Sequence, residues 1–300
     1  MSQPRAQVSE ADFRSYYGRP ILKQPVWKVP DVPAYLYLGG MAGASSTMAL
    51  FADLTGRRGL ARAGRLTAAV GATGSIGALL HDLGRPKRFL NMLRVLKPTS
   101  PLSVGSWILA PFSALTSGAA VSELTGWLPS LGRLSGTAAG AIAPAMTTYT
   151  AVLLADTAVP AWHEFYRELP FVFAGGAVSS AGAIGMLTAP RTETAPARRM
   201  AIAGSALELA AGARMSGRTG LVGEVYQHGK AGRVLRLART LTCIGASAAL
   251  FARRSRMAAV TSGVCLTAAA VATRYGIFEA GRESARDPKY TVQPQRDRIG

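Results

Sequence analysis

The sequence predicts an all-α integral membrane protein, with eight transmembrane helices that divide into two four-helix bundles. Three observations carry that prediction. Charge is gathered into short blocks, and eight stretches between them are nearly free of it: 33–54, 63–83, 102–124, 134–156, 170–189, 199–214, 236–252 and 257–275. Most are close to the ~20 residues that a helix needs to cross ~30 Å of hydrocarbon. They are rich in Gly, Ala, Ser and Thr rather than Leu, which suits helices packed closely through small residues.

Taken in order, residues 1–32 are polar, and Pro20, Pro25 and Pro30 keep them extended. They read as an N-terminal surface segment with no cleavable signal peptide. The transmembrane domain is expected over 33–275. Its first span carries Gly39-x-x-x-Gly43 and its second Gly71, Gly74 and Gly77, both suited to close helix crossings. The sixth and seventh stretches are the shortest, and the sixth contains Glu208. Residues 276–300 are expected to form a polar tail lying on the membrane surface or a partner.

The chain has 34 Lys and Arg against 16 Asp and Glu, a formal net charge of +18. Such a balance often marks nucleic-acid binding, but here the basic residues sit in loops between spans. With eight crossings, about two thirds of the 34 fall on the face that carries both termini. The positive-inside rule then places the termini and the 84–101 loop in the cytoplasm, for a multi-pass protein of the cell's inner (plasma) membrane.

Cysteine and histidine counts exclude several chemistries. Cys243 and Cys265 are the only thiols, too few for an iron–sulfur cluster held by this chain, and they read as small buried residues. His81, His163 and His228 are the only histidines and none lies deep in a span, so no haem and no metal site is expected. Electrons passing through such a protein must be carried by something it binds.

The spans alternate in direction, which assigns a depth to each polar residue. Tyr35 begins the first span, His81 and Asp82 end the second, Trp107 lies about a turn into the third, and Tyr149 and Asp156 lie in the last two turns of the fourth. These groups converge on the terminal face, so a ligand site is expected within 33–160. Ionisable groups at such depth are unfavourable and often mark proton or ligand pathways. Few polar groups at the mouth of an apolar cavity suit a quinone, whose isoprenoid tail lies among helices while its carbonyls accept hydrogen bonds. A His–Asp pair beside the ring can relay the protons of reduction. Glu208, mid-span between Gly204 and Gly212, and Glu123, at the far face, are candidates for a proton path.

The loop motif His81-Asp-Leu-Gly-Arg-Pro86, continued by Arg88-Phe89-x-Asn91-Met92-Leu93, Lys97-Pro-Thr-Ser-Pro101 and Gly105-Ser106-Trp107, resembles that of the NrfD/polysulfide reductase membrane subunit family. Ala155-Asp156-Thr-Ala-Val-Pro160-Ala-Trp162, Tyr149-Thr150 and the Phe278–Pro288 tail are similar to that family too. The resemblance implies a quinone-reactive subunit, not catalytic alone and free of its own redox cofactors. Its partners would be a ferredoxin-like iron–sulfur subunit and a molybdopterin or tungstopterin catalytic subunit, which selects the electron donor. It implies a menaquinone-type substrate held by Tyr149, His81 and Asp82, and a basic loop (Arg85, Lys87, Arg88, Asn91, Arg94, Lys97) facing the iron–sulfur partner. The alternative reading is a transporter or proton-translocating subunit without a quinone site; repeated halves with broken helices would mark a transporter.

Overall fold

The computed structural model describes residues 21–85, 87–217 and 220–296. Eight long helices stand where the eight stretches predict them: α1 Asp31–Leu54, α2 Arg58–Leu83, α3 Pro101–Thr125, α4 Pro129–Ala155, α5 Leu169–Thr188, α6 Ala195–Gly217, α7 Gly229–Phe251 and α8 Arg256–Arg286. No strand occurs among the described residues. The shortest of the eight, α5, has 20 residues, ~30 Å of helix. Five of them (α3, α4, α5, α7 and α8) are long and apolar enough to cross a membrane by length and composition alone. The protein is a multi-pass α-helical membrane protein.

Local chemistry sets several boundaries. Ser100 caps α3 by accepting from the Ser103 N–H at 3.5 Å, with Pro101 in the first turn. Ser255 caps α8 in the same way. Gly84 and Gly126 end α2 and α3 with φ of 66° and 71°, a left-handed turn that glycine adopts without steric penalty. Most helices extend past the apolar stretches into the neighbouring charged blocks.

One boundary is corrected by the structure. The tail expected from 276 onward begins as helix, because α8 continues to Arg286. Gly276, Ile277, Phe278, Ala280, Gly281, Ser284 and Ala285 are all buried. A Cβ on Gly281 would lie 1.9 Å from Trp162 Cε2, and Trp162 Nε1 donates to the Ile277 carbonyl at 2.8 Å. The charges in this segment are folded in as well: Glu279 is buried and pairs with Arg282, and of the charged residues between 279 and 286 only Arg286 is exposed. Beyond it lies a short helix, Lys289–Arg296.

The helices group as two rings of four. In the first, α1 packs on α2, α2 on α3, α3 on α4 and α4 on α1; α5 to α8 repeat the pattern. The rings meet where α5 contacts α1 and α4, and where α8 contacts α1. One apolar core runs through both, including Leu36, Phe112, Met146, Trp162, Phe173 and Phe278.

Small residues bring the helices together. A Cβ on Gly204 would lie 2.4 Å from the Ser179 nitrogen, and one on Gly175 would lie 2.5 Å from the Glu208 nitrogen. The backbones of α5 and α6 therefore touch. Gly39, Gly43, Gly71 and Gly74 also lie against neighbouring helices, whereas Gly77 faces open space. Cys243 is exposed and Cys265 half-buried, which corrects the expectation that both are buried. Most of α7 lies outside the core, and that leaves one of its faces bare.

Candidate functional site

Two tyrosines from different helices meet near the terminal end of the first ring. Tyr35 lies one turn into α1 and Tyr149 nearly two turns before the end of α4. Their hydroxyls hydrogen-bond to each other, and their rings cross edge to face with centroids 6.4 Å apart. They are 5% and 7% exposed. Gly105 of α3 makes room for the second ring, since a Cβ there would lie 2.6 Å from Tyr149 Cε2. From α2, Ser75 Oγ donates to the Tyr35 carbonyl at 3.4 Å. All four helices of the ring thus frame the pair. In a hydroxyl pair one O–H donates to the other oxygen, and the acceptor's own proton remains free to donate elsewhere.

His81 and Asp82 close α2 on the same face, where they hold the chain entering α1. His81 Nδ1 lies 2.7 Å from Asp31 Oδ2, with the imidazole largely exposed and Asp31 largely covered. Asp82 Oδ1 accepts from the Lys28 N–H at 2.8 Å, and Lys28 Nζ donates to the His81 carbonyl at 3.1 Å. Asp31 lies four residues before Tyr35 and so on the same helical face. His81, Asp31, Tyr35 and Tyr149 therefore stand in sequence from the surface inward. Trp27 extends this strap across to the second ring, stacking on Trp162 at 5.5 Å and on Phe278 at 6.4 Å.

Of the six residues expected at one site, then, Tyr35 and Tyr149 touch directly, while His81 and Asp82 lie at the strap above. Asp156 follows the last residue of α4, where its N–H bonds the Val152 carbonyl and its side chain is exposed. Trp107 is 41% exposed on α3. Asp156 stands seven residues after Tyr149, but the helix ends before it and its side chain is exposed.

The loop after α2 carries a short helix, Lys87–Met92; Pro86 lies outside the described residues. Arg85, Lys87, Arg88, Asn91, Arg94 and Lys97 are all exposed. Between them stand Leu90, Val95 and Leu96, each more than half exposed. The loop is fastened to α3: the Lys97 N–H donates to Ser103 Oγ at 3.0 Å, and that hydroxyl donates to the Val95 carbonyl at 3.1 Å. A surface both cationic and apolar is suited to docking an acidic protein.

Glu208 and Glu123 are far apart in role. Glu208 is 6% exposed, and its Oε1 accepts from Thr273 Oγ1 at 2.8 Å. Arg274 is 1% exposed beside it; its Nη2 donates to the Phe173 carbonyl and its guanidinium stacks 4.4 Å above the Phe173 ring. Gly176 makes room for both, because a Cβ there would lie 2.6 Å from Arg274 Nη1 and 3.0 Å from Glu208 Oε1. Glu123 instead pairs with Arg65 at the far end of the first ring, where Arg65 also binds Asp53. That arrangement ties α1, α2 and α3 together.

Asp31, Lys28 and Arg274 were not legible as site residues. Asp31 stands just before the apolar stretch and looks like part of a surface segment. Arg274 falls near the boundary expected at 275, where an arginine belongs at the interface. A signal for Asp31 does exist, since Asp31-x-x-x-Tyr35 puts a carboxylate one turn above a buried phenol.

A family model described as polysulphide reductase, NrfD, matches residues 21–191, more than half of the chain and all of α1 to α5. No curated protein matches the chain.

Proposed function

The chain belongs to the polysulphide reductase NrfD family, and we propose that it is the quinone-reactive membrane subunit of a multisubunit oxidoreductase. In this reading it passes electrons between an iron–sulfur partner, docked on the 84–101 loop, and a quinone of the menaquinone class. The observation that carries the reading is the buried Tyr35–Tyr149 hydroxyl pair, framed by four helices near the same end of the first ring as that loop.

Reduction of a quinone takes two electrons, supplied by the partner, and two protons, and leaves a hydroquinone; oxidation is the reverse. The chain's own residues handle position and protons. The spare O–H of the tyrosine pair donates to a quinone carbonyl and orients the ring. The tail lies along the apolar core that surrounds the pair. Protons reach the site through His81, at the surface, and Asp31, the carboxylate one turn above Tyr35. Asp82 serves the same end indirectly, by holding Lys28 and so the strap that carries Asp31. The exposed cations of the loop offer the partner a complementary surface, and the molybdopterin-type catalytic subunit would join through that partner.

The test is turnover of a menaquinone analogue by the purified complex, comparing Tyr149→Phe and Asp82→Asn with the parent. A fall of about tenfold or more is expected for Tyr149→Phe, on the scale of one lost hydrogen bond to a charged or developing-charge group. Unchanged turnover in both variants contradicts the site. Recovery of an iron–sulfur polypeptide with the chain tests the partner separately.

A further inference from the structure

The second ring is open on one side. Of its four adjacent helix pairs, α6 and α7 touch least. A cavity of about 510 Å³ lies there, lined mostly by those two helices, backed by α5 and α8 and bounded near the terminal face by the turn at Tyr226–His228. That volume is within the range of small-molecule sites. Val172, Leu209, Met215, Leu235 and Ile277 give it apolar walls. Gly212 of α6 keeps the space open, since a Cβ there would meet nothing within 4 Å.

The charge on α7 is one-sided. Lys230, Arg233, Arg236 and Arg239 all precede Thr240, and nothing from Thr240 to Phe251 is charged. Arg236 and Arg239 line the cavity, and both are exposed. Arg239 stands ten residues after Gly229, ~15 Å along the helix. A guanidinium facing hydrocarbon at that depth is unfavourable. Helical side chains lean toward the N-terminus, so its long stem can lie on the apolar wall while the head reaches back toward the terminal face.

These two cations are short of acceptors. Arg236 donates to the Gln227 carbonyl at 2.6 Å, which leaves most of its fork of donors unused. Arg239 has no hydrogen-bond or ion-pair partner among the described residues. Glu208 is the one acidic residue among those described in the lining, and it offers them nothing. Its Oε1 accepts from Thr273, its Oε2 is buried, and Arg274 stands beside it.

This pattern selects a ligand. A metal cation would face two guanidinium groups, a neutral lipid would leave them unpaired, and a free anion would leave the apolar walls unfilled. An anion that carries its own hydrocarbon satisfies both. We infer that the cleft between α6 and α7 binds an anionic phospholipid from the leaflet at the terminal face. Its phosphate lies on Arg236 and Arg239, and an acyl chain lies along Val172, Leu209 and Ile277. Basic pockets between transmembrane helices hold acidic headgroups on the same grounds. The inference uses none of the residues of the tyrosine site and stands apart from the quinone reading.

The experiment places the whole complex in phosphatidylcholine nanodiscs that contain a trace of a lipid with a diazirine in its acyl chain. The probe is either phosphatidylglycerol or phosphatidylcholine, and photolysed adducts are mapped by peptide mass spectrometry. Per mole of probe, phosphatidylglycerol should label 205–216 and 235–242 about fivefold or more above phosphatidylcholine, the scale of one arginine against an acidic headgroup. Arg239→Gln should bring that ratio close to one. Arg233→Gln, on the same helix but outside the cavity lining, should leave it unchanged. Gly212→Leu fills the cleft and should remove the label from both segments. Equal labelling by the two lipids, or no label on α6 and α7, overturns the inference. So does a ratio indifferent to Arg239→Gln, or one that falls as far in Arg233→Gln, which would reduce the effect to diffuse charge. Label displaced by inorganic phosphate but not by chloride at the same ionic strength would assign the arginines to a free anion instead and overturn it too.

Discussion

The two rings handle buried polar groups in opposite ways. In the first, the buried groups at the terminal end are neutral phenols that share one hydrogen bond and are packed by a glycine, with the ionisable His81, Asp31 and Asp82 kept above them near water. In the second, a carboxyl and a guanidinium are sunk deep in the bundle with atoms left unpaired: Glu208 Oε2, Arg274 Nε and Arg274 Nη1 among the described residues. The first arrangement closes one hydrogen bond within itself and leaves one hydroxyl proton over. The second holds groups whose desolvation is less fully offset, with Arg274 beside Glu208 as its neighbouring cation. Two rings of like connectivity thus carry unlike chemistry, and only the first carries the cationic loop.

The sharpest way to break this contrast is to remove a charge from the second ring. Arg274→Leu leaves Glu208 without its cation and should lower stability by about 3–5 kcal/mol, read as the unfolding midpoint of the detergent-solubilised protein. A small effect would mean that Glu208 does not depend on Arg274. Crowding the first ring comes next. Gly105→Leu drives a side chain into the Tyr149 ring and should destabilise by about 1–3 kcal/mol, abolishing quinone turnover as well. Preserved turnover would place the chemistry away from Tyr149.

Tyr35→Phe is gentler, removing one hydroxyl from the pair at a stability loss of about 1 kcal/mol. It should weaken turnover far more than it weakens the fold, and a fall in both together would reduce the pair to a structural bond. The smallest effects belong to the loop. Arg88→Gln and Arg94→Gln together should change stability by less than about 0.5 kcal/mol, yet loosen retention of the partner, increasingly so as salt is raised. Retention insensitive to both salt and these changes would point to a different docking face.

The sequence predicted helix positions well because the signal is coarse. Charge in a loop and its absence in a span are visible residue by residue, and the same grammar placed Tyr35 and Tyr149 at one depth. What it could not give was the register between helices. Asp156 and Trp107 have suitable depths but lie on exposed surfaces, and His81 turns to Asp31 rather than into the bundle. The seam of Trp162, Phe278 and Gly281 was hidden because Glu279 and Arg282 made that segment look like a surface tail. The cavity around Glu208 was hidden for a related reason: four helices outline it, and none of them is individually unusual.

The most direct test follows electrons on a single turnover. The complex carrying Tyr149→Phe is mixed with donor and a menaquinone analogue, and the partner's iron–sulfur signal is recorded beside quinone reduction. The account predicts that the clusters fill at the parent rate and stay reduced, because the quinone has lost the hydrogen bond that orients its ring. Clusters that empty into quinone as fast as in the parent would contradict it.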